Sequence, residues 1–211
     1  MRDQPRSTAM ASEIWFENPN VGQRSRIVTL PGEMGGRGFV LEYINRPFKG
    51  EDAVPAHVHT AYVETFEILK GRARYRLGRE TLTASAGDRV VMPAMVPHVH
   101  PWSASAEELH VRQIAAVDPA DLRGLNASLQ AAITIQGLAK TGRVNAKGLP
   151  NLLQLGVLIA TTMPATYLAG PPIALQRVLF GALGWMGRIA GYKTGYQEYG
   201  VITADGLQMP A

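Results

Sequence analysis

The stretch Pro55–Gly71, PAHVHTAYVETFEILKG, places two histidines one residue apart and a glutamate five residues after the second. The chain has 211 residues and only five histidines, all of them between residues 57 and 110. Residues i and i+2 of a strand point to the same face, so His57 and His59 are predicted to converge. Glu64 can approach the same point if the chain bends between them. This clustering predicts a site.

A second segment, GDRVVMPAMVPHVH at residues 87–100, adds His98 as a predicted ligand from another strand. Imidazoles with one carboxylate and open positions suit a divalent transition metal, namely Fe, Mn, Co, Ni, Cu or Zn. Water or substrate would complete the coordination of such an ion.

Residues 12 to about 117 have the pattern of short strands separated by Gly, Pro and charged turns. In residues 72–77, RARYRL, arginine alternates with Ala, Tyr and Leu, which is the period of a strand with two unlike faces. Gly78 predicts the turn of a hairpin. Many short strands with regular turn signals indicate a β-sandwich or a small barrel.

The two histidine segments resemble the two sequence motifs of the cupin superfamily. The first motif is His-x-His, four residues, a glutamate, six residues, and a glycine, here Gly71. The second is Gly87, five residues, Pro93, and then His98 five positions further on. The likeness covers roughly residues 38–117 and implies a double-stranded β-helix barrel that is usually dimeric. Carried over residue by residue, the family's metal ligands are His57, His59, Glu64 and His98.

The second segment departs from the family pattern at two positions. Met95 stands where the family usually has glycine, and Trp102 stands where it often has asparagine. Neither change removes a ligand, but both alter the predicted pocket wall, so no substrate carries over with the likeness. The whole chain is also similar to bacterial cupin-domain proteins with segments of the type NAKGLPNLLQL, residues 145–155, which adds architecture and no reaction.

His100 follows His98 by two residues and is predicted to face the same way into the barrel. There it would be the leading catalytic acid–base residue, a hydrogen-bond donor to a metal ligand or a substrate contact. The alternative is that Pro101 bends the strand and turns His100 to the rim.

Other polar and apolar residues near the predicted site receive separate predictions. Glu67 is three residues from Glu64 and is expected to face the exterior, and His110 is expected to be a half-buried strand residue without chemistry. An apolar pocket with few polar groups is the usual form of a small-molecule site. The predicted substrate-binding residues in such a pocket are Tyr75, Met92, Met95 and Trp102.

The pattern changes after residue 118. Asp118 or Asp121 is predicted to cap a helix that ends near Gly142. The breaker Gly170-Pro171-Pro172 separates two further predicted apolar helices. The predicted organisation is a flexible N-terminus at 1–11, a mainly β cupin barrel at 12–118, and an α-helical C-terminal extension at 119–211.

The extension raises the question of a membrane span, because residues 148–176 contain no Asp, Glu, Lys or Arg. A transmembrane helix needs roughly 20 predominantly apolar residues. Pro164 and the breaker at 170–172 argue against spanning. Arg177 and Arg188, spaced by eleven, lie close to one helical face and leave an apolar face. The helices are predicted to pack on the barrel or on a partner subunit, and peripheral membrane contact is the alternative.

The composition excludes several classes of function. The absence of cysteine excludes disulfides, thiolate ligands and cysteine nucleophiles. The net charge of +4 belongs to residues 119–211, whose basic side chains are scattered singly, so nucleic-acid binding is not expected. The N-terminal residues show no apolar run of a secretory signal, and a cytoplasmic location is expected.

The predicted function is that of a metal-dependent enzyme that acts on a small organic molecule. Dioxygenation is expected by analogy with the family, and isomerisation or a lyase step are the alternatives. A homodimer is expected. A non-catalytic binding or sensing module, whose helices mediate oligomer or membrane contact, is the alternative function.

Overall fold

The structure, a computed structural model, describes residues 13–47, 55–203 and 206–210. The predicted flexible N-terminus at 1–11 lies outside the described residues. The strands are β1 Phe16–Asn18, β2 Gln23–Thr29, β3 Gly38–Asn45, β4 His57–His59, β5 Tyr62–Lys70, β6 Arg72–Leu77, β7 Glu80–Ser85, β8 Arg89–Met92, β9 His98–Ser103, β10 Leu109–Val117, β11 Thr166–Leu168, β12 Val201–Thr203 and β13 Gly206–Gln208. The helices are α1 Leu122–Lys140, α2 Leu152–Thr162 and α3 Ile173–Ile189.

Two antiparallel sheets form the barrel. One sheet has the strand order β1-β2-β3-β10-β5-β8, and the other has the order β11-β4-β9-β6-β7. The sheets face each other, because Glu64 on β5 of the first sheet contacts His98 on β9 of the second. The mainly β barrel with a helical extension therefore confirms the predicted fold class.

The β6–β7 hairpin shows why the alternating pattern forms a strand. Arg72 and Arg74 are exposed while Ala73 between them is fully buried. Gly78 closes the turn with a φ of 60°, a left-handed conformation that glycine adopts without the steric cost of a Cβ. The predicted hairpin is confirmed.

The hydrophobic core has two parts. One part lies inside the barrel around Phe66, which is completely buried. The other lies between the first sheet and α1, where Leu125, Leu129 and Ile133 contact the sheet residue Phe39 and its neighbours. Burying one such side chain stabilises the fold by roughly 1.5–3 kcal/mol. Helix α1 is therefore an integral wall of the barrel.

The predicted capping of α1 is resolved in favour of Asp121. Its carboxylate accepts a hydrogen bond from the Gly124 N–H at 2.9 Å, as an N-cap does. Asp118 instead accepts one from Arg37 at 2.6 Å. The helix ends at Lys140, and Gly142 follows with a φ of 71°.

Helices α2 and α3 pack closely through small residues, on either side of the predicted breaker at 170–172. A Cβ added at Gly156 would lie 2.6 Å from Leu183 Cβ, and one added at Gly187 would lie 2.6 Å from the Leu153 carbonyl oxygen. Among the described helices, none is long and apolar enough to cross a membrane. Between α2 and α3, strand β11 returns to the barrel and pairs with β4.

Met95 occupies a strained backbone position in the turn between β8 and β9. Its φ is 64°, its N–H donates to the His59 carbonyl oxygen at 2.8 Å, and 60% of its surface is exposed. A residue with a Cβ pays roughly 1–2 kcal/mol for the left-handed conformation. Met95 stands where the family usually has glycine, and it therefore keeps the left-handed conformation that glycine favours.

We expect Met95→Gly to be more stable than Met95→Ala by about 1 kcal/mol, because both remove the exposed side chain and only glycine removes the strain. Urea unfolding of the two variants measures the difference. Equal stability of the two would show that this turn carries no strain from the Cβ.

Candidate metal centre

Strand β4 is only three residues long, but neighbouring strands hold both of its edges. On one edge His57 pairs with Leu168 and His59 with Thr166 of β11, and on the other edge His57 pairs with His98 of β9. The side chains of His57 and His59 are buried and lie on the same face of the strand, as the His-x-His spacing predicts.

Glu64 is the central residue of the site. Its Oε2 lies 3.1 Å from Nε2 of His98 and 2.9 Å from Nε2 of His100. Its other oxygen, Oε1, accepts a hydrogen bond of 2.5 Å from the side-chain amide of Gln113. The carboxylate is therefore held from two sides, and Gln113 on β10 orients it toward the histidines.

Two of the histidines have their ring orientation set by the backbone. The Nδ1–H of His57 donates to the Pro55 carbonyl at 2.8 Å, and the Nδ1–H of His98 donates to the Val96 carbonyl at 2.9 Å. A carbonyl only accepts, so Nδ1 carries the proton in both rings. The Nε2 atoms of both rings are thereby directed to the centre with a lone pair available for a metal.

The third ring, His59, is oriented by the helical extension. Its Nδ1 lies 2.9 Å from the hydroxyl of Thr166 on β11, and the same hydroxyl lies 2.9 Å from the Tyr62 hydroxyl. Tyr62 in turn reaches Ser128 on α1 at 3.2 Å and stacks on the His59 ring with a centroid distance of 4.0 Å. Residues from β11 and α1 therefore position a predicted metal ligand.

The geometry of the cluster fits a metal ion. One donor atom from each of five residues lies within 4.8 Å of all the others. The Nε2 of His59 is buried without a hydrogen-bond partner, although it lies 3.1 Å from Glu64 Oε2, because the alignment is not that of a hydrogen bond. A buried nitrogen left without a partner is costly, and a cation among these atoms would satisfy it. The five residues are His57, His59, Glu64, His98 and His100.

The protonation states also favour a metal. Burial alone would raise the pKa of Glu64, but the His100 and His59 imidazoles outweigh burial and hold that pKa well below its usual range. Burial lowers the pKa of His57, and the neighbouring His100 and His59 lower it further. An ionised carboxylate and a neutral imidazole are the states in which these groups bind metal ions.

The cluster opens into a cavity of about 350 Å³ whose wall is mostly apolar. Helices α1 and α2 supply one side of it, and the first sheet supplies the opposite side. A site of this size holds a small organic molecule. The apolar wall residues include Phe39, Leu41, Leu129, Ile135, Leu155, Leu158 and Ile159, and the polar ones include Asn18, Gln23, Ser25, Gln113, Ser128 and Gln136.

The structure brings the four predicted ligands together and adds His100 to them. The prediction that His100 faces into the barrel is confirmed, because its Nε2 reaches Glu64 and its ring lines the cavity. Glu67 points away from the cluster and lies 3.7 Å from Arg112, and His110 lies 3.4 Å from Glu108, as expected for residues outside the site.

The predicted pocket residues Tyr75, Met92, Met95 and Trp102 do not line this cavity, and this part of the prediction is corrected. Met92 is fully buried in the barrel core, against which Tyr75 packs. Met95 is exposed, and Trp102 pairs with Arg74 in the β6–β9 ladder. The reason is that the cavity extends from the cluster toward β1, β2, β3, α1 and α2, and not toward β6 or β8.

Sequence reasoning missed Gln113 and Thr166. The sequence pattern of β10 could have identified Gln113. Val111 and Ala115, two residues before and after it, are buried, so Gln113 is a polar residue at a core position of the strand. Thr166 lies in a three-residue strand after Pro164 and had no such signal.

An antiparallel double-stranded β-helix, with histidines and a glutamate that converge inside it and could hold a metal ion, is the architecture of a cupin-type barrel. Residues 48–115 match the family model described as Cupin domain, and the chain therefore contains a cupin domain. None of the curated proteins matches the sequence of this chain.

Several solved structures are similar to part of the chain. A candidate sugar phosphate isomerase from Acidithiobacillus ferrooxidans is 18% identical, with a TM-score of 0.38. The match covers 46% of this chain and 61% of the isomerase, so this chain spans less than two thirds of the length of that protein. A protein with a double-stranded β-helix domain from Klebsiella pneumoniae is 18% identical, with a TM-score of 0.42 over 55% of this chain and 95% of its own. KdgF from Halomonas sp. is 16% identical, with a TM-score of 0.38, and the match covers 50% of this chain and 88% of KdgF. No activity follows from these similarities.

Proposed function

We propose that this protein is a metal-dependent enzyme that acts on a small, mostly apolar organic molecule, with a dioxygenase-type oxidation as its reaction. The observation that carries the proposal is the position of the buried histidine–glutamate cluster in the wall of the apolar cavity. His57, His59, Glu64 and His98 would hold the metal. When bound, a metal at such a centre supplies Lewis acidity or the activation of dioxygen.

The titratable groups in the cavity wall leave His100 as the candidate residue for proton transfer. Among the described residues that line the cavity, the titratable side chains outside the cluster are Tyr43 and Tyr62. Burial raises the pKa of both phenols, and the Glu64 carboxylate raises it further. Neither phenol is therefore a ready base near neutral pH, so any proton transfer to or from a substrate would fall to His100.

The protein's own residues have separate tasks in this proposal. Gln113 orients Glu64, and Thr166 orients His59. The side chains of α1 and α2 exclude water from the apolar part of the cavity, which protects reactive species from hydrolysis. His100 is the most exposed histidine of the cluster and would exchange protons with a substrate at its Nε2.

Metal analysis and oxygen consumption test the proposal. Protein purified without added metal or chelator is expected to contain about one equivalent of iron, copper or nickel per chain. Oxygen uptake is expected when small phenols or diketones are added. Tightly held zinc without oxygen uptake would overturn the oxidation and favour an isomerase or lyase, and protein that binds no metal would overturn the metal centre itself.

His100→Gln separates a catalytic role from a ligand role. We expect the variant to keep its metal while its turnover falls by roughly 10²- to 10⁴-fold, the usual contribution of a general acid or base. Metal content by plasma emission and turnover by oxygen electrode are measured on the same preparation. Loss of metal comparable to that in His98→Ala would make His100 a fifth ligand instead.

A non-catalytic binding or sensing role is the second candidate, and the convergence of five donor atoms favours it. Five protein ligands would leave little room for a substrate at the metal. Addition of azide to the metal-loaded protein distinguishes the two roles. A change in the metal's absorption or spin-resonance spectrum indicates an open position, and no change indicates a closed structural centre.

A further inference from the structure

Helix α3 has two different faces. One face packs on α2, and Phe180, Leu183 and Gly187 on it are buried. The opposite face carries large apolar side chains at helical spacing, all of them exposed. We call these residues the α3 stripe: Leu175, Val178, Leu179, Trp185, Met186 and Ile189.

The α3 stripe is too continuous for ordinary surface variation. Val178 is 73% exposed, Trp185 is 66% exposed and Ile189 is 69% exposed. At about 1.5 Å of rise per residue the stripe is about 21 Å long. Single exposed apolar residues need no explanation, but a row of them on one helix marks a contact surface. The stripe residues line no part of the cavity, so the contact is separate from the metal site.

The charged residues of α3 and of the segments on either side of it in sequence are all of one sign. Residues 122–197 contain seven Lys or Arg and no Asp or Glu. Arg177 donates to the Tyr167 hydroxyl at 2.9 Å, and Arg188 donates to the Thr161 hydroxyl at 3.3 Å. Both arginines of α3 are therefore hydrogen-bonded to neutral hydroxyl groups of their own chain.

This charge pattern indicates which partner binds the α3 stripe. A second copy of the chain would bring Arg177 and Arg188 near the same arginines of the partner, with no carboxylate in residues 122–197 to neutralise them. A bilayer with anionic headgroups offers an apolar phase for the stripe and negative charge for the arginines. Trp185 adds to this match, because the indole ring favours the membrane–water interface.

We propose that α3 binds the surface of anionic phospholipid membranes, with the α3 stripe inserted at the boundary between headgroups and acyl chains. The helix lies in the plane of the interface and does not span the bilayer. Apolar burial supplies the affinity, and the cationic side chains add attraction that salt weakens.

Vesicle co-sedimentation of the full chain tests the proposal. We expect binding to vesicles of phosphatidylcholine with phosphatidylglycerol, weaker binding to pure phosphatidylcholine, and a blue shift of tryptophan fluorescence on binding. The double variant Val178→Ser/Trp185→Ser should bind about tenfold or more weakly, because two inserted side chains are lost. The matched control Val91→Ser/Met95→Ser changes two exposed apolar residues of the barrel and should bind like the unmodified chain.

Three results would overturn the proposal. The first is no binding to either vesicle, and the second is binding to both vesicles with the same affinity. The third is a dimer in light scattering that the stripe variant converts to a monomer while vesicle binding is absent, since the stripe would then hold a second copy. Circular dichroism of each variant establishes that it is folded.

Discussion

His57→Ala and His98→Ala are each expected to reduce bound metal from about one equivalent per chain to a small fraction. The two rings contact each other edge to face across the β4–β9 pair, with a centroid distance of 4.5 Å. Each ring donates its Nδ1–H to a backbone carbonyl. Plasma emission analysis of the purified variants measures the metal content.

His110→Ala is the matched control for these variants. It removes a histidine of the same barrel whose ring contacts Glu108 and lies outside the cluster. We expect it to retain the full metal content. If His57→Ala or His98→Ala also kept stoichiometric metal, while circular dichroism showed a folded barrel, the ligand assignment would be wrong.

Thr166→Val is expected to weaken metal binding by roughly 10- to 100-fold, the usual effect of losing a hydrogen bond that orients a ligand. Valine has nearly the shape of threonine, so the β4–β11 pairing and the cavity wall remain. The change removes the hydroxyl that reaches both His59 Nδ1 and the Tyr62 hydroxyl. Leaving the buried His59 nitrogen without this partner should also lower the free energy of unfolding by about 1–3 kcal/mol.

Competition with a chromophoric chelator measures the metal affinity of Thr166→Val, and urea unfolding measures its stability. Thr161→Val is the control, because that hydroxyl donates to the Val157 carbonyl within α2 and lies outside the cluster. Thr166→Ser should restore most of the affinity, since it keeps the hydroxyl. Unchanged affinity in Thr166→Val would contradict the positioning role and would leave β11 with a purely structural one.

The position of Thr166 and of the α1–α2 wall gives the helical extension a part in the site. The extension contacts His59 through β11 and lines one side of the cavity with α1 and α2. The α3 stripe remains on the outside of the same unit. A metal centre and a membrane-binding surface would therefore share one compact structure.

Local spacing explains why the convergence of the first two histidines could be predicted from the sequence. His57 and His59 share a face because successive residues of a strand alternate, whatever the rest of the chain does. The turn glycines and the Asp121 cap are likewise set by the conformations that their own backbones prefer. These features depend on a few neighbouring residues, and the structure contains each of them, with Asp121 and not Asp118 as the cap.

The pocket wall could not be predicted in the same way. Tyr75 and Trp102 looked like pocket residues because they lie near the histidines in sequence, yet the cavity extends toward helices that begin at Leu122. Nothing within β6 or β9 encodes where α1 and α2 will pack. The position of Thr166 beside His59 also results from pairing between segments 107 residues apart.

The order of residues along the chain thus specified the strands of the barrel, its helices and the shared face of His57 and His59, because strand alternation, turns and caps act over short distances. Tertiary packing decided that His100 and Gln113 join the cluster, that the cavity is walled by the extension, and that one face of α3 stays exposed. Those features arise from contacts between distant segments, whose free energies depend on the whole fold.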